Sequence, residues 1–509
     1  MLSISSAGLM AMLVVPAAMA LGAGTFGSRH SRAWGRAGAL TAGLGFLGAC
    51  AMAVQAASGT PASATVAGLV VSADRLAAVL LLLVFGVSSV VQAFAVRYLA
   101  GDPRAAWFTV GASLLTSASA GLVTSATLVG LAASWTVAGV ALCLLLGMYW
   151  HLPAARDGVR RTATAFLIGD LVLWTAVGIS TARWGAIDLR TLGADRPDGP
   201  LLPVIAGLIV VAALSRSAQI PFHRWLPATL AAPTPVSALL HAGVVNAGGI
   251  LLVRLAPLVT GELARGLTIT AGALTMVYAT VIMLVKPDIK GALANSTMAQ
   301  MGFMILTCGL GLWGATVFHL VAHGFYKATL FLSSGSAIAQ RRRAASRPPM
   351  PAITARRRAL SVAAAVALPA IALYAAVRVI PLTVGDHTAE PALLIFAWAT
   401  GAAATWGWLA RRRSIGAALS AAAVLLPVAL AYRALVAAVS GFLAPALPAE
   451  AAPAALAWLV TGTACAVLAG LAVLRWMPAT VLHRAVYARA ISAGHLQMPV
   501  LAQPKGVRS

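Results

Sequence analysis

Three basic side chains fall four residues apart in the apolar stretch HLVAHGFYKATLFL: His319, His323 and Lys327. Each step of four turns a helix about 40° past a full turn, so the three share one face and climb about 12 Å along its axis. An imidazole takes up and releases a proton near neutral pH, and a lysine cut off from water holds its proton less tightly. The ladder therefore suits a proton relay, the bland alternative being polar contact between helices. Three more ionisable residues lie inside apolar runs: Asp170 in FLIGDLVLW, Arg216 in LSRSAQIP and His241 in SALLHAG. Within a bilayer such groups are costly unless paired or hydrated, which makes all of them functional candidates. Asp170, the acid in the middle of a span, is expected either to neutralise Arg216 or Lys327 or to tune how tightly the lysine holds its proton. Asp74 and Asp288 stand where helices should start and are expected to cap them.

The run SRSAQIPFHRWLPATLAAPTPVSALLHAG (215–243) carries Pro221, Pro227, Pro233 and Pro235. Each proline removes a backbone donor and clashes with the preceding turn, so one continuous helix cannot hold all four. A break is predicted just after Arg216, over residues 215–228. Irregular backbone at membrane depth survives only where protein buries it or water lines it, and broken helices are a common way to build ion sites. The competing reading is a simple loop near the surface. Arg216 and Gln219, which need partners, count against it.

Composition supplies the setting for these elements. The chain has 509 residues, of which 60% are hydrophobic and 9% charged, and its mean hydropathy is +0.90. A soluble domain carries roughly 25% charged residues. Too few charges remain to cover a water-facing surface, so lipid is the solvent for most of the chain. The apolar runs are long enough to cross a hydrocarbon core of about 30 Å as helices and show no alternating period. The expected fold is all-α, a polytopic membrane helix bundle of about 14–16 transmembrane helices. Its parts are expected to be N-terminal transmembrane helices (1–162), a charge-bearing core module (163–339), a basic loop (340–358), C-terminal transmembrane helices (359–475) and a tail (476–509).

The formal net charge is +24. Basic residues gather in alternate loops, among them Arg29, Arg32 and Arg36, Arg156, Arg160 and Arg161, the arginines between Arg341 and Arg358, and Arg411–Arg413. By the positive-inside rule these loops face the cytoplasm of an inner membrane, with the N-terminus outside and the C-terminus inside. Basicity thus reads as orientation, with anionic lipid headgroups as a secondary partner and nucleic acid excluded. No charge precedes Arg29, so the first span is expected to be a retained helix rather than a cleaved signal. Cys50, Cys143, Cys308 and Cys465 sit singly in different spans and read as packing thiols. GLGFLG (43–48) and GLGLWG (309–314) match G-x-G-x-x-G, but neither follows a strand, so no dinucleotide site is expected. The chain is expected to bind no metal or cofactor and to carry no catalytic residues of its own.

SAQIPFHRWLP, PTPVSALLHAG, DIKGALANSTMAQMGFM and HLVAHGFYKATLFLSSGS, in this order, resemble the proton-conducting antiporter-like membrane subunits of complex I and of multisubunit cation/proton antiporters. HAGVVNAGGILLVRLAPL and the ending FLSSGS look most like the DabB-type membrane subunit of bacterial inorganic-carbon pumps. The resemblance covers roughly residues 165–340. It implies a proton path through Lys327, His323, His319 and Asp170, with Arg216 and His241 nearby. It also implies energy-coupled uptake of CO2 or bicarbonate driven by H+ or Na+. The implied partner is a large peripheral zinc protein of the DabA type, resembling a carbonic anhydrase and holding the zinc itself. A complex I or antiporter subunit is the alternative, and a structural membrane anchor a third. Two departures stand out. Antiporter-type relatives carry a glutamate after the fifth-span tryptophan, where Thr136 follows Trp135 here. They also carry lysine at the helix break, where this chain has Arg216. Arginine does not deprotonate at physiological pH, so the burden of proton movement shifts to Lys327 and its histidines.

Overall fold

Burial is very uneven along the chain, and that unevenness locates the centre of the bundle. In the computed structural model, which describes residues 4–259, 261–345, 354–382, 390–411, 414–448, 452–477 and 480–494, 94% of the most apolar stretch of Thr234–Arg254 is buried. The corresponding values for three rear spans between Ala355 and Ala446 are 17–22%. The former is a pillar walled on all sides by protein; the latter face lipid.

The helices are α1 (Ile4–Phe26), α2 (Ser31–Ala57), α3 (Arg75–Tyr98), α4 (Ala105–Thr124), α5 (Leu128–Leu146), α6 (Pro153–Trp184), α7 (Leu202–Arg216), α8 (Thr234–Ala242), α9 (Ala247–Arg254), α10 (Glu262–Val285), α11 (Ile289–Gly309), α12 (Trp313–Leu332), α13 (Ser334–Ala345), α14 (Ala355–Val379), α15 (Glu390–Arg411), α16 (Ile415–Leu443), α17 (Ala454–Trp476) and α18 (Val481–Gly494). Among the described residues, 11 helices or helix pairs are long and apolar enough to cross a membrane. Two shorter apolar helices, Leu202–Arg216 and Ala454–Gly470, accompany them. Helices α11 and α12 have spanning length, 21 and 20 residues, but polar groups interrupt their apolar character. This is the expected all-α multi-pass bundle.

Three features differ from the sequence reading. A β-hairpin, β1 (Ala62–Val66) and β2 (Leu69–Ala73), connects α2 to α3. Ala67 and Gly68 turn it with φ of 50° and 80°, the left-handed geometry of a two-residue hairpin loop. Helix α6 runs unbroken for 32 residues from Pro153, so residue 163 lies within it. The ends of the basic loop are helical, in α13 and α14; its middle, 346–353 with Arg347, lies outside the described residues, as do Arg412, Arg413 and tail residues 495–509.

Capping follows expectation. Asp74 accepts the Ala77 N–H at 2.8 Å to start α3, and Asp288 accepts that of Gly291 at 2.5 Å to start α11. Asp74 also pairs with Arg254, whose guanidinium reaches the carbonyls of Val123 and Ser125. One residue thereby ties α3, the end of α9 and the end of α4 together. Helices α10 and α11 touch backbone to backbone: a Cβ on Gly272 or Gly302 would come within 2.7 Å of the other's carbonyl oxygen. Such close approach is how small residues hold helices together in lipid. The front helices share one core, while α14–α16 meet through small alanine-rich clusters around Ala365 and Ala376.

Candidate proton path

Arg216 is the last residue of α7 and is wholly buried. Its Nη2 donates to Asp170 Oδ1 on α6 at 2.7 Å, and its Nη1 donates to the Trp135 carbonyl on α5 at 3.1 Å. Trp135 Nε1 donates to the same Asp170 oxygen at 2.7 Å. The guanidinium is stacked between two rings, 4.3 Å from the Trp135 centroid and 4.1 Å from that of Phe166. Gly139 makes room for it, since a Cβ there would lie 3.1 Å from both terminal nitrogens. Asp170 is thus the counter-ion of Arg216, and among the described residues no ion pair or hydrogen bond joins it to Lys327. Thr136 Oγ1 accepts a hydrogen bond from Trp174 Nε1 at 3.2 Å.

The helix break after Arg216 keeps its backbone polar groups paired. Ser217 N–H returns to Ala213 O at 3.0 Å and Gln219 N–H to Leu214 O at 2.9 Å, with Ala218 between them at φ 52°. Ile220 N–H donates to Thr275 Oγ1 at 3.0 Å, and Trp225 Nε1 donates to Ser215 O at 2.9 Å. Ser217 Oγ reaches across to Val245 O at 2.7 Å. The chain then continues as a 3-10 segment, His223–Ala231, that holds Pro227, with Pro221 before it and Pro233 and Pro235 leading into α8. A second break, with no proline in it, was not legible in the sequence: α8 stops at Ala242, and Val244–Asn246 forms a 3-10 turn before α9. His241 lies in the last turn of α8, its ring stacked on Phe331 of α12 at 4.3 Å. The two breaks meet where Ser217 bonds Val245.

On α12, the His319 and His323 rings stack 5.7 Å apart, and Phe303 meets the edge of His319 at 5.1 Å. His323 is buried, and neither of its ring nitrogens has a protein partner among the described residues. Lys327 is wholly buried and donates to Ser296 Oγ on α11 at 2.8 Å. Its partner is a neutral hydroxyl, and no ion pair of Lys327 exists among the described residues. The structure therefore sorts the expected site residues into two groups. Asp170 and Arg216 form an ion pair in which the arginine is wholly buried and the aspartate half-buried. Lys327, His323, His319 and, across Phe331, His241 line the face of α12 and its surroundings. Ser296, which sequence reasoning missed, joins the second group from the NST stretch of α11.

The sequence between residues 125 and 420 matches the family described as "NADH:quinone oxidoreductase/Mrp antiporter, TM", and residues 63–109 match "NADH-Ubiquinone oxidoreductase (complex I), chain 5 N-terminus". The chain is 37% identical over 279 residues to the probable inorganic carbon transporter subunit DabB1 of Halothiobacillus neapolitanus, covering 53% of this chain and 50% of that one. It is 33% identical over 337 residues to NADH-quinone oxidoreductase subunit L of Mycobacterium tuberculosis, covering 62% and 53%. The solved structure of the Mrp complex from Dietzia sp. is similar with a TM-score of 0.64 and 25% identity, covering 96% of this chain and 59% of that one. The chain spans about half the length of the curated relatives it matches.

Removing one member of a buried ion pair strands the other. Asp170→Asn is expected to destabilise the protein by about 3–5 kcal/mol, while replacing both partners, as in Asp170→Leu with Arg216→Met, should recover most of that loss. Thermal unfolding of the purified variants in detergent checks both.

Proposed function

The chain belongs to the NADH:quinone oxidoreductase/Mrp antiporter transmembrane family, and from that premise we propose that it is the ion-conducting membrane subunit of an inorganic-carbon transporter. The observation that carries this reading is Lys327, wholly buried and held by one hydroxyl, at the end of a ladder with two stacked histidines. A charge there without a carboxylate partner costs far more than a packing role would repay, so the position suits a group that loads and releases a proton. Likeness to proteins named probable inorganic carbon transporter subunits DabB1 and DabB2, at 37% and 38% identity, supports inorganic carbon as the cargo. The motif resemblance implies a large peripheral zinc-binding subunit of the DabA type as partner. That subunit would hold the zinc and convert CO2 and bicarbonate, while this chain lets H+ or Na+ flow inward.

In this reading residues 163–339 form the conducting module and the helices on either side hold it. Arg216 and Asp170 supply a fixed, neutralised pair beside the helix break rather than a switch. The orientation places the N-terminus outside and the C-terminus in the cytoplasm of an inner membrane, so that α12 carries protons from His319 on the outer side toward Lys327 on the inner. A C-terminal alkaline phosphatase fusion is then expected to be inactive and a C-terminal fluorescent-protein fusion to glow; an active phosphatase would reverse the orientation.

The second reading is a subunit of a complex I type enzyme, favoured by the 33% identity to subunit L. Coexpression with the zinc subunit in cells lacking carbonic anhydrase separates them. Growth in air is expected, and both Lys327→Ala and Lys327→Arg should abolish it, because arginine does not release its proton. Growth unaffected by Lys327→Ala and by a protonophore would mean that the chain anchors its partner without conducting.

A further inference from the structure

Two cations outside the proton path stand in the last turn of α3 and the first turn of α11: Arg97 and Lys290. The positive-inside rule puts both helix ends on one face of the membrane. The structure joins those ends at a single corner, residues 232–234. Tyr98 Oη donates to Thr234 Oγ1 at 3.3 Å, and Lys290 Nζ donates to the Ala232 carbonyl at 3.1 Å. Arg97 is exposed and Lys290 half-buried, and neither takes part in an ion pair among the described residues. The acids nearest in sequence are engaged elsewhere. Asp102 accepts from Tyr149 Oη at 2.6 Å and from the Arg104 N–H at 2.8 Å, and Asp288 caps α11. Basic neighbours on the same face are matched by the protein itself: Arg104 bonds the Met148 carbonyl, and Arg161 pairs with Asp157 at 2.7 Å.

Beside the unmatched cations α3 borders a recess of about 490 Å³, lined by Ala93, Phe94, Arg97 and Tyr98. Positions i, i+1, i+4 and i+5 form one stripe along a helix, so the recess follows a single face of α3. The Phe94 and Tyr98 rings stack at 5.5 Å to make its aromatic wall. Deeper in the membrane the same face carries Val90, which is 52% exposed. It then reaches Gly86, where a Cβ would come within 2.7 Å of Phe325 on α12. Gly86 lies about 16 Å along the helix from Arg97. The face therefore grades from a guanidinium and a phenol at the membrane surface to an apolar track against α12. A soluble phosphate would use the cations and leave the track bare. A neutral lipid would use the track and leave the cations unmatched.

We propose that this recess binds one anionic phospholipid of the leaflet on the basic side. Its phosphate is held by Arg97 and Lys290, and one acyl chain lies along Phe94, Val90 and Phe325. Arginine offers phosphate oxygens a planar fork and lysine a compact charge, so the two together enclose a tetrahedral anion. The bound lipid bridges α3 and α11, which the protein joins through the 232–234 corner. The site uses none of the proton-path residues and stands whether or not the chain conducts.

Native mass spectrometry of the full chain tests this, with phosphatidylglycerol and phosphatidylcholine of matched acyl chains as probes. The first phosphatidylglycerol is expected to bind about tenfold tighter than the first phosphatidylcholine. Arg97→Gln with Lys290→Gln should remove most of that preference. Arg97→Lys with Lys290→Arg should keep it, and so should Arg156→Gln with Arg160→Gln on another basic loop. Equal affinity for the two lipids in the unaltered chain would overturn the proposal. A preference weakened alike by both pairs of glutamine substitutions would also overturn it, since diffuse attraction to basic loops then suffices. Displacement of the lipid by glycerol phosphate at matched concentration would assign the cations to a soluble anion, and its loss on docking of the proposed peripheral subunit would assign the face to that protein. Either result excludes the lipid site. The comparison of the two lipids needs no variant, so misfolding of a substituted chain leaves it intact.

Discussion

A guanidinium keeps its charge at any physiological pH, so burying Arg216 at the end of α7 obliges the fold to bring a carboxylate, a carbonyl and two aromatic faces to it. Asp170, the Trp135 carbonyl and the Trp135 and Phe166 rings meet that demand, and they come from α5 and α6. The requirement fixes how three helices pack. It also lets the chain break after Arg216, because the side chain that ends α7 is anchored in its neighbours. Once α7 stops there, Ser217 reaches Val245 and ties the first break to the second. The central pillar of α8 and α9, with His241 at its interruption, is positioned from that join.

The α12 ladder obeys the opposite rule. Lys327 is as deeply buried as Arg216, yet it meets a serine hydroxyl where the arginine meets a carboxylate. A lysine can be left so because it can give up its proton; an arginine cannot. Arg216 and its carboxylate partner are thus fixed structure rather than a pair that can exchange a proton. The groups that remain able to exchange a proton are gathered on and around α12.

Much of this was legible in the sequence because the cost of charge in lipid is so steep. The four-residue spacing of His319, His323 and Lys327, the cluster of four prolines after Arg216, and the caps at Asp74 and Asp288 each follow from a local rule. What was not legible depended on packing between distant segments. Asp170 had two possible counter-ions, and only the crossing of α6 with α7 selects Arg216. Ser296 is one hydroxyl among several on α11 until Lys327 is placed beside it. The break at Gly243 has no proline to mark it, and it is held by the Ser217 contact from 28 residues away. The β-hairpin is small, and its Ala67–Gly68 turn sits among residues equally suited to a loop.

The proposed proton movement through α12 can be measured without any carbon chemistry. Liposomes containing the chain with the proposed peripheral partner, loaded with a pH-sensitive dye and polarised by a potassium gradient with valinomycin, report proton flux directly. Wild-type vesicles are expected to acidify when the interior is made negative, and vesicles carrying Lys327→Met to stay near the protein-free leak. Equal acidification by the two would contradict conduction through Lys327.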